Sequence, residues 1–88
     1  MTVFSLLALP PQQTATVRQL MAPADTHIEP NLLMRLGELG FLPGEQVTVL
    51  RRGPGGREPI AVQIGDTIFA LRALEASCIA VDVAAKTT

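Results

Sequence analysis

The stretch Leu36-Gly37-Glu38-Leu39-Gly40-Phe41-Leu42-Pro43-Gly44 constrains this chain most, because it halts a helix at a fixed residue and restarts the backbone as a strand. Upstream, Leu32, Leu33, Leu36 and Leu39 recur at spacings of three and four, forming one apolar stripe of a helix. Pro30 suits the first helical position, where a fixed φ and a missing N–H cost nothing. A helix is therefore predicted over Pro30 to Leu39. Gly40 can adopt the left-handed conformation, Phe41 can pack back on Leu36, and Pro43 forbids continuation, which together describe a Schellman-type stop. Gly37, inside the helix, costs about 1 kcal/mol relative to Ala. That cost predicts close approach by another backbone. Past Pro43-Gly44 the period changes to two, with Val47 and Val49 on one face and Gln46, Thr48 and Leu50 on the other.

The same alternation recurs on both sides of the helix. Ala15 and Val17 share one side of a half-buried strand over Thr14 to Leu20, the first core strand. After the wide turn Gly53-Pro54-Gly55-Gly56, Ile60, Val62 and Ile64 line one face of a strand over Pro59 to Ile64. Gly65-Asp66 supplies a tight two-residue hairpin loop, and Thr67 to Leu71 returns. A helical turn at Arg72 to Ser77 precedes a last strand carrying Ile79, Val81 and Val83, and residues 84–88 form a flexible polar tail. The expected fold is mostly β: a small SH3-like barrel of about five strands, curled to avoid exposed edges, with one short helix inserted after the first core strand. An OB-type barrel is the alternative, although that fold usually inserts its helix later.

Eighty-eight residues make one domain, residues 1–88 with a core over 3–83. A chain of this size buries only about 60% of the surface its unfolded form exposes. Its core must come from Val, Ile, Leu and Ala, since aromatic content is limited to Phe4, Phe41 and Phe69. A formal charge of -1 gives no general attraction to phosphate backbones or anionic membranes, so no nucleic-acid binding is expected. The apolar run from Val3 to Leu9 is too short to span a bilayer, follows no Lys or Arg, and ends at Pro10-Pro11. Neither a signal peptide nor membrane insertion is expected. As an apolar arm, that run suits a homodimer. Cys78 is the only cysteine and has no internal disulfide partner, which fits a reducing cytoplasm.

Catalytic chemistry is hard to assemble from these residues. A nucleophile needs a base beside it, and the only candidate pair, Cys78 with His27, would have to be brought together by the fold. The chain is expected to be no enzyme. Gly53 to Gly56 lacks the Gly-Lys-Ser/Thr ending of a phosphate loop and joins two strands, so it is a turn. Asp25, His27 and Glu29 cluster before the helix, and a single His cannot anchor a closed zinc site within one chain. These three residues are either a solvated turn or a weak Zn or Fe site completed by water or a second chain. No cofactor is expected to be required. Arg51, Arg52, Arg57 and Arg72 concentrate in the hairpin region. They either cover apolar barrel edges with their stems or form a positive partner-binding patch.

The nine-residue stretch from Leu36 to Gly44 resembles the LxxLGxxPG signature of the FeoA family, small cytoplasmic components of bacterial ferrous iron transport systems. Further matches follow in order: the strand Gln46 to Leu50, the Gly/Pro-rich turn, Pro59-Ile60-Ala61-Val62, Phe69-Ala70-Leu71-Arg72 before Glu75-Ala76, and Ile79-Ala80-Val81. The resemblance covers most of Val3 to Val83. Gln12-Gln13 departs from it, standing where members often carry a glycine, and Glu29 replaces the Ser or Asp often found at the helix start.

The resemblance implies an SH3-like barrel that partners the cytoplasmic side of FeoB, a membrane ferrous iron transporter with a G-protein-like domain. With no nucleotide loop, span or redox centre, the chain would act through contact. Leu36, Gly37, Gly40, Pro43 and Gly44 are then the structural motif. Partner-binding candidates are Leu39, Phe41, Leu42 and Pro43 at the helix end, with Arg51, Arg52, Arg57 and Arg72; Leu42 is the strongest of these, because Leu36 and Phe41 also read as core and cap. Similar barrels resemble the C-terminal domains of iron-dependent repressors, so a stand-alone metal-responsive regulatory domain is the second reading. Without a helix-turn-helix and with little basic charge, DNA binding is not expected of it. A polyproline-binding module would need an aromatic groove, for which a chain without Trp or Tyr has little material.

Overall fold

The structure, a computed structural model, describes residues 3–23 and 27–83, with backbone alone for residues 56 and 57. The expected flexible tail, residues 84–88, and the turn at Asp25-Thr26 lie outside the described residues. Among those described, the strands are β1 (Val3–Ser5), β2 (Thr14–Leu20), β3 (Gln46–Gly53), β4 (Arg57–Ile64), β5 (Thr67–Leu71) and β6 (Ile79–Asp82). Helix α1 (Pro30–Leu39) follows β2, and α2 (Ala73–Ser77) precedes β6. All strand pairs are antiparallel, in the order β1-β6-β2-β3-β4-β5.

The mostly β, SH3-like expectation with its inserted helix agrees with this architecture, and two details differ from it. The strands number six, because the N-terminal run is not a free arm. Val3–Ser5 pairs with β6, a 3-10 turn follows at Leu6–Ala8, and Leu6 and Leu9 are fully buried. Leu6 and Leu9 thus serve the core of this chain, while Val3 stays 52% exposed. The second difference concerns closure. No β1–β5 ladder joins the ends of the described sheet, which curls without closing through hydrogen bonds. Extra residues at Arg18 in β2 and Leu50 in β3 interrupt the pairing registers, and such bulges sharpen the bend of a sheet. Helix α2 packs on β4, β6 and the 3-10 turn.

Alternation in the sequence becomes the core. Ala15 and Val17, Val47 and Val49, and Ile60, Val62 and Ile64 are all buried, as period two predicts for one face of a curled sheet. Strand β6 breaks that pattern. Placed between β1 and β2, it is buried at every position, Asp82 included. The Asp82 carboxylate meets Arg18, Oδ2 to Nε 3.1 Å, from the bulge on β2. Arg52 plays a comparable structural part. Its Nη2 donates to the Leu7 carbonyl and, at 2.9 Å, to the Leu9 carbonyl. A guanidinium thus holds two peptide oxygens of the N-terminal turn, a charged hydrogen-bonding arrangement of the kind worth about 1.5–3 kcal/mol per bond.

Gln12 shows what replaces the glycine often found before the first strand. Its φ of 72° lies in the left-handed region, costly for a side chain with a Cβ. The residue is fixed there by its N–H on the Val49 carbonyl (2.6 Å) and its Nε2 on the Leu50 carbonyl (2.7 Å).

Two glycines test the packing from opposite directions. At Gly37 the expected close backbone is absent: an added Cβ would meet Leu20 Cδ1 at 3.7 Å and Leu42 Cδ2 at 3.8 Å, ordinary contact with flexible side chains. At Gly53 a Cβ would sit 2.7 Å from the Glu58 carbonyl carbon and 2.9 Å from the Pro59 nitrogen. The close approach therefore belongs to the turn and not to the helix. Gly37→Ala should raise stability by about 0.5–1 kcal/mol through helix propensity. Gly53→Ala should lower it by at least about 2 kcal/mol, because backbone must move. Urea denaturation of both variants checks the contrast, and equal effects would refute it.

Candidate functional site

Two surface regions collect the residues singled out by the sequence. The first is the end of α1. Gly40 has φ 117°, its N–H donates to the Gly37 carbonyl at 3.0 Å, and the Phe41 N–H donates to the Leu36 carbonyl at 3.1 Å. This is the full Schellman pair of bonds. Phe41 beyond it is fully buried, with its ring centroid 5.7 Å from that of Phe69. Phe41 is consequently a core anchor, and as a partner-binding candidate it is corrected. Pro43 and Gly44 then form a turn closed by the Glu45 N–H on the Leu42 carbonyl (3.0 Å). The Gly44 N–H reaches the Val17 carbonyl and the Val17 N–H reaches the Glu45 carbonyl, both at 2.8 Å, so the turn is tied to β2.

What this rigid end leaves outside is apolar. Leu42 is 50% exposed and Leu39 43%, while Pro43 is exposed as well. Leu39, the last member of the apolar stripe and a partner-binding candidate, faces solvent. Leu42 and the half-buried Leu20 flank Gly37, whose missing side chain leaves a notch between them.

The second region is a cleft of about 580 Å³ between the start of α1 and α2, lined by His27, Glu29, Asn31, Leu32, Arg35, Arg72, Leu74 and Glu75. Here the metal candidates His27 and Glu29 meet Arg72, expected among the hairpin arginines, and also Arg35 and Glu75, which had no signal in the sequence and join only because the two helices meet. Glu75 accepts a 2.7 Å hydrogen bond from the Arg72 backbone N–H at the start of α2, and its other oxygen lies 3.9 Å from Arg35 Nη2. One carboxylate thus caps α2 and faces α1. At 3.9 Å on a surface the ion pair itself contributes little.

The three candidate arginines whose side chains are described, Arg51, Arg52 and Arg72, do not form one patch. Arg52 is held on the Leu7 and Leu9 carbonyls, which removes it as a partner-binding candidate. Arg51 lies exposed on the outer face of β3 beside Pro59 and Ala61, Arg72 lies in the cleft, and the side chain of Arg57 is outside the described atoms. Metal-binding candidates fare similarly. Asp25 is outside the described residues; His27 and Glu29 share the cleft with two arginines. Among the described residues no three His, Cys, Asp or Glu side chains converge on a point that could hold an ion. The donors described do not fit a zinc centre, and the guanidinium groups oppose a cation.

His27 and Cys78 are not brought together. His27 is exposed at the cleft, while Cys78 is fully buried, its Sγ 3.3 Å from the Leu74 carbonyl. Burial pushes the thiol above its ordinary 9.0; a hydrogen bond with Ser77 lowers it and the Glu75 charge raises it further. A raised folded value means that the stabilisation is fully present below about pH 9, the unfolded value, and is lost as pH rises through the folded one. Disulfide reagents at pH 8 should label native Cys78 at least about a hundredfold more slowly than the urea-unfolded chain. The alkaline loss of stability should flatten in Cys78→Ala. Fast native labelling would contradict this assignment.

An antiparallel, curled six-stranded sheet with a helix inserted between its first two core strands, and without a converging reactive centre among the described residues, defines a small SH3-like domain. The FeoA domain model matches residues 4–83, and the chain belongs to the FeoA family. It is similar to Stenotrophomonas maltophilia FeoA, solved as a zinc complex and described as a prokaryotic SH3 domain protein and candidate activating factor of bacterial ferrous iron transport. The two are 42% identical over 90% of this chain and 89% of that one, with a TM-score of 0.78. Iron(II) transport protein A from Clostridium thermocellum is 31% identical, over 91% of this chain and 45% of that one, with a TM-score of 0.76. T. acidophilum IdeR, at 17% identity over 96% of this chain and 35% of that one, has a TM-score of 0.72 and shares the fold alone. No curated protein matches the chain. Among the described residues no helix is long and apolar enough to cross a membrane.

Proposed function

We propose that this protein is a cytoplasmic accessory of ferrous iron transport that works by contact, docking the end of α1 on the cytoplasmic part of an FeoB-type transporter. Membership of a family linked to ferrous iron transport supplies the context. The observation that carries the reading is the exposure of Leu42 and Leu39 on a helix end immobilised by the Schellman bonds and the turn bonds to β2. An apolar side chain held rigidly in solvent loses little entropy when it is covered, so such residues make effective anchors. Gly37 suits the same role. Its notch between Leu20 and Leu42 is not required by the packing of this chain, and it lets a partner side chain approach the helix backbone.

Pro43 borders the patch, and Arg51 and Arg72 would act from outside it, more on the rate of encounter than on the depth of the contact. The reading as a stand-alone metal-responsive domain has less behind it. The IdeR likeness extends to fold alone, and the described donors in the cleft do not converge. For a weak Zn or Fe site, His27 and Glu29 would need ligands from Asp25 or a second chain.

Binding to the purified cytoplasmic domains of the transporter tests the proposal, with calorimetry as the readout. Leu42→Asp should weaken binding at least about tenfold, since it places a charge in the apolar contact. Its thermal midpoint should stay within about 3 °C of the parent, because the side chain is half out of the fold already. Unchanged affinity for Leu42→Asp would refute this docking surface, and no binding by the intact protein would refute the partner.

A further inference from the structure

We infer that the free edge of β5 is a self-complementary interface through which two copies of this chain pair antiparallel, Phe69 against Phe69 of the second copy, joining their sheets into one. Strand β5 ends the sheet, and its five residues include no Pro, Lys or Gly of the kinds that usually blunt an edge. The other edge, β1, is only three residues long.

The register of the β4–β5 hairpin decides which backbone groups face outward. Ile64 pairs with Thr67 across the two-residue turn, so this is a hydrogen-bonded pair, as are Val62–Phe69 and Ile60–Leu71 by alternation. Ile68 and Ala70 therefore turn their N–H and C=O groups away from β4. Among the described residues these groups have no backbone partner outside the ladder. The supply of free groups ends at Arg72, whose N–H bonds Glu75 and whose carbonyl accepts from Ala76.

Only one antiparallel register of β5 with itself matches both the free groups and the charges. The sequence Asp66-Thr67-Ile68-Phe69-Ala70-Leu71-Arg72 carries opposite charges at equal distances on either side of Phe69. With Phe69 on the two-fold axis, Ile68 of each copy exchanges both backbone bonds with Ala70 of the other, using the outward-facing groups. Asp66 then lies opposite Arg72 of the second copy, twice by symmetry. Centring the pair on Ile68 or Ala70 keeps the backbone bonds but sets neither charge against its opposite. An isologous contact demands this self-complementarity.

The side chains agree with the same placement. Ile68 is 60% exposed on the outer face, and across the axis it would sit over Ala70, beside the shallow groove lined by Arg51, Pro59, Ala61 and Ala70. On the inner face the half-buried Phe69, already against Phe41, would meet its symmetry mate as a close non-hydrogen-bonded cross-strand pair. Such an edge contact is small, so the dimer is weak and concentration-dependent. It adjoins the helix end proposed for the transporter, since Phe69 packs on Phe41.

Sedimentation velocity and amide chemical shifts of the full chain, from about 10 µM to about 1 mM without added metal, test the pairing. The sedimentation coefficient should rise with concentration, with the Ile68 and Ala70 amides shifting and those of β1 unmoved. Asp66→Arg and Arg72→Asp should each weaken dimerisation about tenfold, and the double swap should restore it to within about threefold. Ala70→Pro should give a folded monomer, since this edge N–H is outside the β4 ladder. A chain that stays monomeric at the highest concentration, a dimer indifferent to either charge reversal, a swap that fails to restore pairing, or shifts centred away from β5 would each overturn the inference.

Discussion

The hydrogen bond from the Phe41 N–H to the Leu36 carbonyl, made possible by the left-handed Gly40, is the constraint on which the rest of this structure depends. It stops α1 at a fixed residue and aims Phe41 into the core. Two residues later Pro43-Gly44 turns the chain, and the Gly44 N–H joins it to β2 at the Val17 carbonyl. Helix, turn and sheet are thereby set relative to one another over a few residues. In a domain too small for a large core, that short-range definition replaces bulk burial.

The remaining order comes from devices that bind distant parts of the chain. Arg52 holds the N-terminal turn by its peptide carbonyls, which lets β1 pair with β6 and places Leu6 and Leu9 in the core. Arg18, on the bulge of β2, faces the buried Asp82 of β6 as a charge partner, whereas Arg52 gives hydrogen bonds to its carbonyls. The outcome is a curled sheet whose two ends are treated differently: β1 is short, whereas β5 is left with free backbone groups and an exposed isoleucine.

Legibility in the sequence followed the range of the interactions. The helix stop, the role of Phe41 as cap and core, and the alternating faces of β2, β3 and β4 could be read because every partner lies within a few residues. The strand Val3–Ser5 could not, since three residues carry too little alternation and its partner is β6 near the other end. Gly37 was read as a close backbone contact on propensity alone, while the true close contact falls at Gly53, where β3 and β4 meet. For the surface, the exposed Leu42 was expected, but the dispersal of Arg51, Arg52 and Arg72 was not. Nothing in the spacing of Arg51 and Arg52 tells which one turns inward; the bulge at Leu50 changes the register just before them.

By itself the sequence determined the local grammar: one helix with an obligatory end, alternating strands, and a tight hairpin at Gly65-Asp66. These follow from dihedral preferences and side-chain periods, which act over one or two turns of chain. Only the tertiary structure decided which strands are edges, that the N-terminal run is core, that Arg52 is a clasp, and that Arg35 and Glu75 face each other across a cleft. Those are matters of which distant segments meet, and the free energy that selects them is shared among many weak contacts with no short-range signature.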